Sequence, residues 1–186
     1  SKPDLTYRRF IESLINKNYA VHAYKYTPQF DHQQLAIKAW RDFKNCRIHL
    51  SKRIGASIPS IRIGHSLGCK LHLLSPDGGR NCEKFISISF NNFSANKSIP
   101  LLKQLSQKLD FKSEFSPSPE RTLRIIEKTY NQKNNFLIKF NSDELDQTDS
   151  LLSCLRSRKE DNSKGIKLKG THTIIASAGL RENLLG

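Results

Sequence analysis

Gly64-His65-Ser66-Leu67-Gly68 sets a serine between two glycines in the pattern G-x-S-x-G. A serine hydroxyl is a weak nucleophile at neutral pH. It attacks a carbonyl only when a neighbouring base takes its proton and a further group orients that base. The flanks of Ser66 suit this role. Ile58 to Ile63 reads as a short buried strand and Cys69 to Leu74 as a short, largely apolar helix. Strand, sharp turn and helix are what lift a serine to the tip of a strained elbow. Both glycines are expected to be required, because a Cβ at either position would collide inside the crowded turn. The helix start behind Ser66 favours negative charge. The backbone N–H of Leu67, the next residue, is the expected first donor to an oxyanion.

The base and the orienting acid must come from elsewhere. His172 follows the last strand, in the run Gly170-Thr171-His172, and is the expected base. Asp143 opens the acidic loop after the strand ending at Phe140 and is the expected acid, with Asp146 the alternative. Glu144, Asp146 and Asp149 can each serve instead as helix caps. The remaining histidines are less suited. His22 lies in a predicted strand, His32 and His49 lie on or beside the second helix, His65 is inside the elbow, and His72 is on the helix behind it. No group of residues suggests a metal site or an organic cofactor.

The chain alternates helices and strands. Pro3-Asp4 opens a helix with Tyr7, Phe10, Ile11, Leu14 and Ile15 on one face, ended by Asn18. Tyr19 to Tyr26 reads as a strand stopped by Thr27-Pro28. Asp31 begins a second helix with a buried stripe of Leu35, Ala36, Ala39, Trp40, Phe43 and Cys46. After the elbow come a strand at Phe85–Phe90, one at Phe136–Phe140, a helix around Leu151, Leu152 and Leu155, and a strand at Ile166–Leu168. A last helix is expected to carry Ile174, Ile175 and Ala178. Residues 91–130 break the alternation with two helices, around Leu101–Leu109 and around Leu123–Tyr130, and read as a helical cap-like insertion. Strands separated by helices predict right-handed crossovers and a mainly parallel sheet in a three-layer α/β/α fold. Strand carboxyl ends then share one edge, where Ser66, Asp143 and His172 can converge.

At 186 residues the chain is expected to form one domain over 1–186, with 91–130 inserted in it. No apolar run reaches the roughly 20 residues of a membrane span. The four cysteines form no C-x-x-C pair and read as reduced thiols, consistent with a cytoplasmic location, or the plastid stroma if the chain comes from a plant. The net charge of +14 is spread through every segment instead of forming blocks, so nucleic acid is not the expected partner. Peripheral contact with an acidic membrane surface stays open, as does the oligomeric state.

These residues together resemble the α/β-hydrolase superfamily, in which serine, acid and histidine follow in that chain order. More closely, the chain resembles a family of cyanobacteria and plant plastids numbered as domain of unknown function thirteen-fifty. The similarity runs through Phe30-Asp31-His32-Gln33, the Gly64–His72 run, Ser89-Phe90-Asn91-Asn92-Phe93 and Phe115–Glu120. It continues through Leu137–Phe140 and Asp143–Thr148 to Gly170-Thr171-His172. The resemblance implies an α/β-hydrolase fold and a triad of Ser66, Asp143 and His172; it supplies no substrate. Members tend to carry Asn before the histidine and Pro shortly after it, where this chain has Thr171 and Thr173 to Ala176. Members also carry a strand and a glycine-rich loop before the first helix, expected upstream of Ser1, as the source of the second oxyanion donor. The expected function is a serine hydrolase acting on an ester, thioester or related acyl bond of a small molecule. The alternative is a non-catalytic α/β-hydrolase-like binding or scaffold protein, for which Ser66→Ala would leave binding unchanged.

Overall fold

A computed structural model describes residues 2–95 and 114–176. Four strands form a wholly parallel sheet in the order β1-β2-β3-β4: Ile61–His65, Lys84–Ile88, Asn135–Ser142 and Lys164–Thr171. Each step is a crossover through a helix. Leu67–Leu73 (α4) links β1 to β2, Pro119–Thr129 (α5) links β2 to β3, and Thr148–Arg156 (α6) links β3 to β4. Before β1 stand Pro3–Thr6 (α1), Arg8–Ile15 (α2) and the long His32–Ile54 (α3). The fold is the helix-flanked parallel sheet that the alternation predicts. β1 begins at Ile61 and not at Ile58, because Pro59 has no N–H to give a ladder.

The core explains why the helices sit where they do. Phe85, Ile88 and Leu137 are buried residues of the sheet, and Cys69 and Leu73 of α4, Ile126 of α5 and Leu151 and Leu155 of α6 are buried with them. Fully burying each large apolar side chain contributes about 1.5–3 kcal/mol. A second cluster joins Leu35 and Ala36 of α3 to Leu71 and Leu74 at the end of α4. The helices are also capped as their sequences suggest. Asp31 accepts from the Gln34 N–H at 2.8 Å to start α3, Gly55 ends it in the left-handed region, and Ser118 accepts from Arg121 N–H to start α5.

One expectation needs correcting. Residues 19–26 form no strand. Tyr24 and Tyr26 keep the alternation and pack on the second cluster, but among the described residues β1 pairs only with β2. A strand exists by backbone pairing, and among the described residues none pairs with this segment. A groove lined by Leu5, Ile11, Val21 and Ala23 lies instead between it and the first helices. Of the cap-like segment 91–130, residues 96–113 lie outside the described residues. The helix expected around Leu123–Tyr130 is α5, the β2-to-β3 crossover, with Ile126 and Tyr130 buried in the main core. The helix expected at Leu101–Leu109 lies outside the described residues, as does Ala178 of the expected last helix. Residues 172–176 form turns after β4.

Candidate active site

Ser66 stands between the last residue of β1 and the first of α4, with φ 55° and ψ −123°. Only a strongly held non-glycine residue adopts such a backbone, and strain of this kind gathers at functional sites. Its N–H donates to the Ile88 carbonyl at 3.0 Å and its carbonyl accepts from Cys69 N–H at 3.0 Å, so the turn is anchored to β2 and to its own helix. Gly64 is required by close approach: a Cβ there would lie 2.6 Å from the backbone Cα and N of Cys69. Gly68 is not. Nothing lies within 4 Å of the Cβ position at Gly68, contrary to the expectation that both glycines are crowded. The turn folds Gly64 of β1 against the backbone of α4, while the Cβ position of Gly68, the second residue of α4, faces open space.

The sheet edge brings the three expected residues together. The Oγ of Ser66 is 3.0 Å from Nε2 of His172, and Nδ1 of His172 is 2.8 Å and 3.0 Å from the two carboxylate oxygens of Asp143. An ionised carboxylate only accepts, so Nδ1 carries the hydrogen and Nε2 is left with the lone pair facing the serine hydroxyl. The Asp143 side chain is fully buried, and the His172 side chain is 16% exposed. Leu67, the expected oxyanion donor, is the first residue of α4.

Several residues aim this arrangement. β3 runs to Ser142, so Asp143 leaves directly from the strand end. The β3–β4 register slips between Phe140 and Ser142, with Phe140 opposite Leu168 and Ser142 opposite Thr171, so β4 carries one extra residue. Gly170 absorbs that bulge at φ +145°, and its N–H donates to the Asn141 side chain at 3.0 Å. The bulge turns His172 back toward Asp143. The Asp143 carboxylate also accepts from Leu145 N–H at 3.0 Å.

Asp146, the alternative acid, is engaged otherwise. It accepts from the N–H and the hydroxyl of Thr148 at 2.8 and 2.9 Å, folding the turn into α6, and burial raises its pKa. The Ser89–Phe93 and Asp143–Thr148 segments meet beside the site. Gln147 N–H donates to the Phe90 carbonyl at 2.8 Å, and the Gln147 side chain accepts from Asn92 N–H at 2.6 Å. Asn92 also donates to the Pro119 carbonyl at 2.9 Å, tying the start of α5 to the same loop. On the other side Lys70, almost fully buried on α4, donates to the Pro117 carbonyl at 3.0 Å, and desolvation lowers its pKa to about 8. Sequence reasoning missed Asn141, Lys70 and Gln147, since a polar residue shows its role only once its hydrogen-bond partner is in place.

The family model described as Protein of unknown function (DUF1350) matches residues 1–183. The chain belongs to this family. No curated protein matches it significantly. Solved structures resemble this DUF1350 chain across most of its length. A monoacylglycerol lipase of Paleococcus ferrophilus matches with a TM-score of 0.60 at 13% identity, covering 89% of this chain and 80% of the lipase. An esterase of Pyrococcus furiosus gives 0.57 at 17% identity, covering 95% and 71%, and the esterase domain of a Rhodothermus marinus protein gives 0.55 at 16%, covering 100% and 79%. At these identities the likeness shows the fold, that of the α/β hydrolases. Among the described residues no helix is long and apolar enough to cross a membrane.

Proposed function

We propose that this protein is a serine hydrolase that cleaves an ester, thioester or related acyl bond of a small molecule. The observation that carries the reading is the single line of contacts Ser66 Oγ, His172 Nε2, His172 Nδ1 and Asp143 carboxylate, with steps of 3.0 and 2.8 Å. The names of the structural neighbours, a lipase and two esterases, support the same class.

In this reading the Ser66 hydroxyl proton passes to Nε2 of His172 as Oγ bonds to the substrate carbonyl carbon. The carbonyl oxygen becomes an oxyanion, stabilised by the Leu67 N–H and by the start of α4. Asp143 keeps Nδ1 protonated and stabilises the imidazolium without itself taking the proton. As the tetrahedral intermediate collapses, the bond to the alcohol or thiol breaks and Nε2–H protonates the departing group. Water then enters. His172 takes its proton, the hydroxide attacks the acyl-serine, and the acid leaves as Ser66 recovers its hydrogen. Hydrolysis of p-nitrophenyl acetate and butyrate and of a monoacylglycerol by wild type and Ser66→Ala tests the reading. Turnover lost in the variant is expected; equal turnover in both would refute it.

A further inference from the structure

His65, the residue before Ser66, has no part in the steps above, yet both of its ring nitrogens are engaged. Nε2 lies 2.8 Å from the backbone carbonyl of His172, and Nδ1 lies 2.8 Å from the hydroxyl of Tyr7. A carbonyl can only accept, so Nε2 carries the hydrogen; Nδ1 then holds the lone pair, and the Tyr7 O–H donates to it. The ring is thereby fixed in one tautomer and one orientation. It stands edge-on to Tyr7, with centroids 5.6 Å apart, and 5.0 Å from the His172 ring. Burial drives the His65 pKa down to about 4 and raises that of Tyr7, so near neutral pH both stay in the forms the two hydrogen bonds require.

We infer that Tyr7 and His65 are positioning residues, a hydrogen-bonded strut from the α1–α2 junction through the elbow to the backbone of His172. This inference rests on the reading of Ser66 and His172 as nucleophile and base. His172 stands beyond the end of β4, in turns with no ladder to hold them. Asp143 fixes the far nitrogen of its ring and Asn141 holds Gly170, two residues earlier. Only the His65 contact, among the described residues, restrains the carbonyl of His172 itself. Because His65 is covalently next to Ser66, the strut ties the backbones of nucleophile and base to each other. Reaction rates are steep in this geometry, since a misplacement of about 1 Å costs on the order of 100-fold.

The experiment compares wild type, His65→Phe, His65→Gln and Tyr7→Phe by the second-order rate of labelling with a fluorophosphonate and by the downfield proton resonance of His172 Nδ1–H. Phe keeps the ring and removes both hydrogen bonds. Gln offers a donor and an acceptor at similar reach. His65→Phe is expected to slow labelling by about 10- to 100-fold and to shift or broaden the His172 resonance. His65→Gln should recover most of both, and Tyr7→Phe should show a smaller change in the same direction. Labelling within two-fold of wild type in His65→Phe, or an unchanged His172 resonance, overturns the strut. Wild type that never labels would instead refute the proposed function, and the resonance would still decide whether His65 holds His172.

Discussion

Replacing Gly64 by alanine puts a methyl group where the turn has no room for one. The added Cβ would sit 2.6 Å from Cα and N of Cys69 and 2.8 Å from the carbonyl carbon of Gly68. Carbon atoms are comfortable at about 3.5–4.0 Å, so the first turn of α4 would have to retreat by about 1 Å. All three obstructing atoms are backbone, and no side-chain rotation relieves them. Overpacking costs about 1–3 kcal/mol where side chains can adjust, so about 3 kcal/mol is expected here. The same shift would carry Ser66 away from His172. Gly68→Ala is the matched control: the Cβ enters open space inside a helix, where Ala is favoured over Gly by about 0.5–1 kcal/mol. Urea unfolding at constant slope reads both changes as opposite shifts of the midpoint. A Gly64→Ala protein as stable as wild type would refute the close-approach argument.

Other substitutions separate the roles around the site. Asp143→Asn should slow ester hydrolysis by about 10⁴-fold by favouring the wrong tautomer of His172, whereas Asp146→Ala should leave the rate within a few-fold and cost about 1 kcal/mol of stability through the lost turn. If Asp146→Ala abolishes activity and Asp143→Asn does not, the two acids have been assigned in reverse. Acid should also destabilise the fold. Burial holds His65 and His72 neutral down to about pH 4 and His32 down to about pH 3. The unfolded chain binds protons at these histidines from about pH 6.5, so stability falls as pH drops below that value, by about 1 kcal/mol per histidine between pH 7 and 5.5. A urea midpoint unchanged over that range would count against the burial of these rings. Asp77 adds nothing to this window. Arg62, hydrogen-bonded to it, holds its carboxyl well below the usual carboxylate range against the opposing effect of burial, so its contribution is lost only at stronger acidity.

The parts of the fold legible in the sequence are those governed by local pattern. Ile61–Ile63, Phe85–Ile88 and Phe136–Phe140 are β-favouring runs that become β1, β2 and β3, and the stripe from Leu35 to Cys46 lies on α3. Asp143 and His172 stand out in the sequence because they follow predicted strands; strand ends of a parallel sheet meet at one edge, and there both lie in one line of contacts with Ser66. Tyr19–Tyr26 failed for the converse reason. Its composition suits a strand, but composition supplies no pairing partner. A count of two helices between strands does not show that the helix around Leu123–Tyr130 is the crossover α5, which reaches the core through Ile126 and Tyr130. Gly68 departs from expectation because a motif shows that a glycine is present and not which wall it faces. His65 and Tyr7 were passed over as an elbow residue and a helix-face residue. Their contacts to each other and to the His172 backbone span 58 and 107 positions of sequence.

The most direct measurement is to treat the protein with an excess of fluorophosphonate, digest it, and map the modified peptide by mass spectrometry. A nucleophilic Ser66 predicts one adduct, on Ser66, absent from Ser66→Ala and strongly slowed in His172→Ala. Native, folded protein left unmodified, or an adduct on another residue that survives in Ser66→Ala, would contradict it.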